Sequence, residues 1–131
     1  MSSIFSKIIA GEIPSYQIVA NRDHIAFLDI NPVAKGHVLI VPKKETDYIF
    51  DLDDASLADM MIFAKRVAKA MKKVIECKKI GVAVMGLEVP HVHIHLIPVT
   101  DEKDMSFEKP RKQLSPQEFG AIAAAIADAF K

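Results

Sequence analysis

The chain has 131 residues, of which half are hydrophobic and 26% are charged, as is typical of one globular domain. Lys and Arg together number 17, as do Asp and Glu, so no basic excess indicates a nucleic acid polymer as a partner. No apolar run reaches the roughly 18 residues that span a bilayer, so no membrane partner is expected. Cys77 is the only cysteine, which excludes a disulfide scaffold within one chain and favours a reducing, cytoplasmic location.

The first third of the chain predicts a short helix followed by three strands. Residues 3–10 place isoleucine and phenylalanine side chains on one side of a helix, and Gly11 follows as its stop. Apolar, β-branched runs bounded by turn residues predict strands over residues 16–20, 24–30 and 37–42. The turn between the first two strands is Asn21-Arg22-Asp23, a short connection that favours antiparallel pairing.

The remainder of the chain predicts a long helix, two strands and a final helix. Residues 53–77 carry apolar side chains at helical spacing, and Asp53 is suited to cap the start of this helix. Two more strands are predicted over residues 80–85 and 89–97. A polar stretch over 100–113 precedes Ser115-Pro116-Gln117-Glu118, a capping box with proline at the first helical position. The C-terminal helix is therefore expected over about 116–130.

This order of elements predicts an α+β fold. We expect an antiparallel sheet of about five strands, with an N-terminal helix, one long central helix and a C-terminal helix packed on it. The five glycines are not clustered, so no nucleotide-binding glycine loop of a βαβ unit is predicted. A single domain over residues 1–131 is expected, with its core at 4–98 and a C-terminal extension at 99–131.

The most informative feature is a row of three histidines, His91, His93 and His95, that alternates with apolar residues. Side chains two residues apart lie on the same face of a strand, so the three rings would share one face while the intervening side chains enter the core. Imidazole is suited to proton transfer, nucleophilic attack or metal ligation near neutral pH. The row therefore marks a candidate functional site.

From the residues alone, three interpretations of this row stay open. The histidines could lie on a solvated sheet face, although solubility alone does not require histidine and would be served as well by Lys, Glu or Thr. They could bind a metal, since His-x-His on a strand can share one, but no carboxylate follows until Asp101. They could perform covalent catalysis, in which a neutral imidazole attacks phosphorus and its neighbours orient it and protonate the leaving group.

Residues 91–97 resemble the motif of the histidine triad (HIT) superfamily, His-φ-His-φ-His-φ-φ with φ apolar, at every position. Residues 4–14, 26–32 and 36–44 are similar to the opening helix and central strands of that family. The resemblance covers most of the chain up to residue 98, and its nearest branch is the bacterial histidine triad nucleotide-binding proteins. It implies a HIT-like fold, a homodimer, and a metal-independent hydrolase without cofactor that cleaves nucleoside phosphoramidates or dinucleoside polyphosphates at the α-phosphate.

The resemblance also implies a role for each candidate site residue. His93 would be the nucleophile that becomes nucleotidylated, His95 would contact the phosphate and the leaving group, and His91, supported by His37, would orient the nucleophile. Asp29 would bind the ribose hydroxyls, for which a carboxylate is suited. The remaining contacts to a purine nucleotide would come from an apolar slot for the base and from the loop before the triad: Phe5, Ile8, Phe27, Ile30, Gly86, Glu88 and Val89.

The chain departs from the family at two places. Ser3 and Ser6 stand where many relatives carry zinc-binding cysteines, and Glu45 stands where a histidine is common, so no structural zinc is expected. The loop before the triad is short and has Leu87 in place of an amide that helps to hold the phosphate. Glu88 either selects an amine-bearing leaving group or faces solvent. The alternative function is therefore a nucleotide-binding adaptor with little turnover.

Overall fold

The structure is a computed structural model that describes residues 2–130. Its helices and strands have the number and order that the sequence predicts, so the predicted α+β fold is confirmed. In chain order they are α1 (Ile4–Ile9), β1 (Gln17–Ala20), β2 (His24–Leu28), β3 (Val38–Pro42), a 3-10 turn (Ile49–Asp51), α2 (Asp54–Val74), β4 (Lys79–Ala83), β5 (Ile94–Val99), a second 3-10 turn (Glu102–Met105) and α3 (Pro116–Ala129).

The five strands form one antiparallel sheet in the order β1-β2-β3-β5-β4. The last strand in the chain therefore lies inside the sheet, between β3 and β4. His95 on β5 is paired with Leu39 on one side and with Ala83 on the other. A histidine at this position is held by hydrogen-bonded neighbours on both sides, so its backbone is among the most constrained in the sheet.

The two faces of the sheet are covered by different layers. Helices α2 and α3 lie on one face, where Val92, Ile94 and Leu96 are buried in the larger hydrophobic core. Phe5 of α1 lies on the other face, in a smaller cluster with side chains of β2 and β3. The histidines alternate with the residues of the larger core, so their rings lie in the thinner layer beside α1.

The predicted helix starts agree with the structure. Asp53 accepts a hydrogen bond from the backbone of Ser56 at 2.7 Å, and Ser115 forms a reciprocal capping box with Glu118. Gly11, with φ of +80°, follows α1 in the left-handed conformation that suits glycine. Among residues 2–130, no helix combines the length and the apolar character needed to cross a bilayer.

The prediction of α2 to residue 77 was too long at its C-terminal end. The helix ends at Val74 because Ile75 takes an extended conformation, with φ of −115° and ψ of 124°. The side chain of Ile75 then occupies the space where a Cβ on Gly36 would be, which closes the gap between the end of α2 and the start of β3. The helix thus ends earlier than the apolar pattern of the sequence, because Ile75 packs against Gly36.

The prediction of a strand over 89–97 was wrong at its start, because β5 begins only at Ile94. The amide of His91 donates to the carbonyl of Val89 at 2.8 Å, a local turn after Pro90, and so makes no ladder bond. His91 and His93 therefore lie in an irregular segment, and only His95 lies in the strand.

The prediction of a strand over 24–30 was also too long, since β2 ends at Leu28. The side chain of Asp29 accepts the backbone N–H of Asn31 at 2.8 Å, and such local bonds compete with the ladder. Asp29 and Ile30 therefore follow the strand instead of lying in it.

Ile126 on α3 is fully buried in the larger core. We expect Ile126→Ala to lower the free energy of unfolding by about 2–5 kcal/mol, since it removes buried methyl groups and leaves a cavity. Urea denaturation followed by circular dichroism measures this change. The result tests whether the C-terminal extension, which contains α3, is an integral part of the domain.

The matched control is Gly120→Ala on the same helix. A Cβ at Gly120 meets no other atom within 4 Å, so alanine is expected to raise the unfolding free energy by about 0.5–1 kcal/mol. An Ile126→Ala variant as stable as the wild type would mean that α3 contributes nothing to the core.

Candidate active site

The four predicted catalytic histidines lie together in the structure. The ring centroid of His95 is 4.9 Å from that of His93 and 5.1 Å from that of His37. Phe5 of α1 presents its ring edge-on to His91 at 5.8 Å and to His93 at 4.9 Å. All four histidines are at most 7% exposed, so they form one buried cluster between the sheet and α1.

The hydrogen bonds of His93 determine which ring nitrogen carries the proton. Its Nδ1 lies 2.7 Å from the backbone carbonyl oxygen of His91, which can only accept. The proton is therefore on Nδ1, and the lone pair of the neutral ring is on Nε2. This Nε2 has no protein partner, and in the described part of the chain no buried side-chain nitrogen lacks one, so it reaches solvent. His93 thus presents a free lone pair.

The same reasoning applies to His37 and His95. The backbone N–H of Val33 donates to Nδ1 of His37 at 3.1 Å, so the proton of a neutral His37 is on Nε2. The Nε2–H of His37 donates in turn to Nδ1 of His95 at 2.9 Å. A neutral His95 then carries its proton on Nε2, which is also free of protein partners and reaches solvent. A hydrogen-bond donor of His95 therefore stands beside the lone pair of His93.

Burial keeps these three rings neutral. It lowers the pKa of His37 to about 3 and that of His95 to about 4, and in each case neighbouring imidazoles and Arg111 add to the effect. Burial also lowers the pKa of His93, although the hydrogen bond to the carbonyl of His91 and the carboxylate of Asp29 oppose this. At neutral pH the lone pair of His93 is therefore available for reaction.

His91 is held at both ring nitrogens. Its Nε2–H donates to the carbonyl oxygen of Pro42 at 2.8 Å, at the end of β3. Its Nδ1 then accepts the hydroxyl proton of Ser3, 2.6 Å away at the N-cap of α1. His91 therefore joins a central strand to the N-terminal helix. The expected support of His91 by His37 is wrong, because His37 bonds to His95 and the ring of His91 is held by Pro42 and Ser3. The sequence did not predict this role of Ser3.

Asp29 lies next to this cluster, directly after β2. Its Oδ1 accepts the backbone N–H of Asn31, and its Oδ2 is 3.6 Å from Nε2 of His37. Burial raises the pKa of this carboxyl, whereas the Asn31 bond and the charge of Arg111 lower it. The carboxylate is 17% exposed, so it remains open to hydroxyl donors at the edge of the site.

Most of the predicted apolar slot also comes together. The rings of Phe5 and Phe27 meet edge-to-face at 5.6 Å, and Ile8 and Val89 pack against the same cluster. Ile30, in contrast, is 63% exposed and lies outside it. An apolar wall thus flanks the histidines on the side of α1, without the side chain of Ile30.

The loop before the triad contributes backbone groups and one charged side chain, that of Glu88, to the surroundings of the histidines. Gly86 has φ of +71°, a left-handed conformation that favours glycine, and Leu87 is 92% exposed. Glu88 is exposed, but its charge is close enough to raise the pKa values of His93 and Asp29. The loop therefore places one exposed carboxylate within electrostatic range of His93 and Asp29.

The segment over residues 100–113 covers the other side of the histidines. The ring of Phe107 lies 4.9 Å from that of His95 and 6.1 Å from that of His37. Arg111 anchors the segment by donating to the carbonyl oxygen of Asn31 at 2.6 Å, with its guanidinium 5.5 Å from the Phe107 ring centroid. In the sequence, the one signal for this contact was Phe107, a single aromatic residue in an otherwise polar stretch.

A metal is poorly accommodated by this arrangement. Asp29, His37 and His95 each offer a ligand atom within 4.8 Å of the others. Ligation through Nε2 of His37 would require its proton to move to Nδ1, where it would face the backbone N–H of Val33. Two donors would then point at each other, so this donor set fits a hydrogen-bonded chain better than a cation.

Comparisons with known proteins agree with the geometry. The HIT domain family matches residues 10–102. Adenosine 5'-monophosphoramidase HNT1 of Saccharomyces cerevisiae is 46% identical over 101 residues, which cover 76% of this chain and 64% of that protein. Adenosine 5'-monophosphoramidase hnt1 of Schizosaccharomyces pombe is 34% identical over 133 residues, with both chains covered completely.

Solved structures of similar proteins extend the likeness to the whole fold. A Hit-like protein from Bartonella henselae superposes with a TM-score of 0.86 and 31% identity, covering 98% of this chain and 96% of that chain. The histidine triad nucleotide-binding protein of Candida albicans gives a TM-score of 0.67 and 33% identity, with 92% of each chain covered. These relatives include fungal proteins, so the bacterial branch stays a prediction. By sequence and by fold, this chain belongs to the HIT domain family.

Proposed function

We propose that this protein is a metal-independent nucleotide hydrolase that cleaves at the α-phosphate through a nucleotidyl-His93 intermediate. The observation that carries the proposal is the solvent-facing lone pair on Nε2 of His93, beside the N–H of His95. The preferred substrate class is a nucleoside phosphoramidate, since two yeast relatives are adenosine 5'-monophosphoramidases. Dinucleoside polyphosphates are the second class.

In the first step, Nε2 of His93 attacks the α-phosphorus, and the bond from phosphorus to the leaving nitrogen breaks. The ring becomes cationic, and its Nδ1–H to the carbonyl of His91 stabilises that charge. The Nε2–H of His95 donates to the phosphate oxygens. Because this N–H is engaged with the phosphate, the leaving nitrogen takes its proton from water, which leaves a hydroxide ion.

In the second step, water attacks the phosphorus, and the bond to Nε2 breaks with its electron pair returning to a neutral His93 ring. The proton that this water loses neutralises the hydroxide of the first step, and the nucleoside monophosphate is released. Phe107 lies over His95, so it restricts access on the leaving-group side. Asp29 is assigned to the ribose hydroxyls. The purine base and the loop contacts are assigned to Phe5, Ile8, Phe27, Gly86, Glu88 and Val89, without Ile30.

The balanced formal charge supports a small nucleotide, and not a nucleic acid polymer or a membrane, as the partner of this site. The single cysteine, Cys77, supports a reducing, cytoplasmic location. Both assignments follow from composition and stay predictions.

The proposal includes a homodimer. Strand β4 is an edge of the sheet, and its unpaired backbone groups are suited to meet a second copy. Apolar side chains are exposed both at this edge and on α2, with Val82 52%, Met85 52% and Ile62 57% exposed. Exposed apolar side chains on α2 and at an open edge support pairing of two chains through β4 and α2.

Removal of the nucleophile tests the central step. We expect His93→Ala to lower kcat on an adenosine phosphoramidate by about 10³-fold or more, since no other lone pair is positioned to attack phosphorus. Steady-state kinetics measure the loss, and mass spectrometry after brief exposure to substrate detects adenylyl-His93 in the wild type.

His24→Asn is the control, because His24 stacks on Phe63 of α2 in the opposite layer. Its kcat is expected to stay within about 3-fold of the wild-type value. Full activity of His93→Ala would refute the mechanism. Tight AMP binding by a wild-type protein without turnover would favour the adaptor function instead.

The pH dependence follows from the burial of His93. Protonation of Nε2 removes the nucleophile, and burial lowers the pKa of this ring below its usual 6.5. We therefore expect kcat/KM to be constant from about pH 8 to 6.5 and to fall at lower pH, with its midpoint below 6.5.

The variant Asp29→Asn gives a second test of the pKa of His93. The carboxylate of Asp29 raises the pKa of His93, so its removal is expected to move the midpoint to still lower pH, whatever its effect on the size of kcat/KM. A wild-type midpoint above 6.5, or an upward shift in Asp29→Asn, would contradict a buried neutral nucleophile.

Substitution of an apolar residue of the proposed interface by a charged one tests the dimer. Light scattering should give the wild type about twice the 14.5 kDa of one chain, whereas Ile62→Glu should give the mass of a single chain, since a buried unpaired charge opposes association. Ala124→Glu, at an exposed position on α3, should remain dimeric. A monomeric wild type would exclude the interface.

A further inference from the structure

The start of α1 forms a hydrogen-bonded cluster with Glu45 and His91, which we call the Ser–Glu cluster. One carboxylate oxygen of Glu45 accepts the backbone N–H of Ser3 at 2.7 Å and the hydroxyl proton of Ser6 at 2.7 Å. The hydroxyl oxygen of Ser3 accepts the backbone N–H of Ser6 at 3.0 Å and donates to Nδ1 of His91 at 2.6 Å. No step of the proposed reaction uses the side chains of Ser3, Ser6 or Glu45.

The partners leave only one arrangement of protons in the Ser–Glu cluster. Nε2 of His91 must donate, because the carbonyl oxygen of Pro42 can only accept, so Nδ1 of a neutral His91 must accept. The hydroxyl of Ser3 therefore donates to His91. Two strong bonds to Glu45 also hold the pKa of this carboxyl at about 2, so the carboxylate is charged at all working pH values. The cluster is thus an ordered anchor.

This anchor reaches the nucleophile through one peptide group. The carbonyl oxygen that fixes the ring of His93 belongs to His91, which lies before β5, in the irregular segment. The N–H of the same peptide group, from Val92, donates to the backbone carbonyl of Thr46 at 2.7 Å. The two ring bonds of His91, to Ser3 and to Pro42, add to this backbone bond in holding the position of the carbonyl. The same helix that carries Ser3 places the ring of Phe5 edge-on to His93, 4.9 Å away.

We propose that Ser3 and Glu45 are positioning residues that act through His91 to orient the imidazole of His93 for attack. The proposal rests on the proposed function, because it concerns the nucleophile of that reaction. It assigns to the N-terminal helix a part in the chemical step, besides its contribution to the apolar slot. Neither Ser3 nor Glu45 needs to contact substrate for this role.

The kinetic test is Ser3→Ala. Loss of the hydroxyl leaves Nδ1 of His91 without its donor and frees the ring to reorient, so kcat is expected to fall about 10-fold with KM within about 2-fold of wild type. Glu45→Ala should act in the same direction. Ser3→Thr keeps a hydroxyl and should restore at least about half of the activity. Ser2→Ala, an exposed neighbour, is the matched control.

A second measurement reports on the free protein and requires no turnover. Nitrogen-15 NMR of the imidazoles should place the proton of His91 on Nε2 and that of His93 on Nδ1 in the wild type. In Ser3→Ala, the signals of His93 should move toward a mixture of tautomers, whereas the Pro42 carbonyl still holds the proton of His91 on Nε2. If the wild type hydrolyses no phosphoramidate, the proposed function fails, and the spectra still decide whether the Ser–Glu cluster orients His93.

Three results would overturn the proposal. One is a Ser3→Ala variant with wild-type kcat, and another is a wild-type tautomer pattern in that variant. The third is a raised KM with unchanged kcat, which would mean that the serine supports only the apolar slot. Should Ser3→Ala fail to fold, Glu45→Ala decides in its place, because it removes the oxygen that accepts the N–H of Ser3 and the hydroxyl proton of Ser6: unchanged kcat and spectra would refute the proposal.

Discussion

The chemistry of this protein depends on one hydrogen bond, from Nδ1–H of His93 to the backbone carbonyl of His91. A carbonyl cannot donate, so this contact assigns the proton to one ring nitrogen and leaves the lone pair on the other, which faces the solvent. A side-chain hydroxyl in the same place could reverse its proton and allow both tautomers. A backbone acceptor gives the ring a single orientation and a single reactive atom.

The layers of the fold make this arrangement possible. The larger core beneath β5 buries the apolar residues that alternate with the histidines, and α1 covers the opposite face with Phe5. Desolvation in this thin layer keeps His37, His93 and His95 neutral, whereas the outer nitrogens of His93 and His95 remain open. Burial thus supplies the protonation state, and the incomplete cover supplies access to the substrate.

Hydrophobic periodicity and capping residues were sufficient to predict the fold, as the N-cap at Asp53 illustrates. They also predicted that the triad rings share a side, although His91 and His93 do not lie in a strand. The contacts of Ser3 and Phe107 could not be predicted. Each joins residues far apart in sequence through an irregular segment, whose path depends on tertiary packing and has no periodic signal.

The segment that carries Phe107 has a consequence for how activities diverge among related proteins. The family match ends at residue 102, so this aromatic ring lies beyond the region that defines membership, yet it touches His95 and His37. Exchange of this short segment between two relatives would alter the side chain that lies against His95 while leaving every histidine in place. Under the proposed function, selectivity for the leaving group and reactivity would then be encoded in separable stretches of the chain.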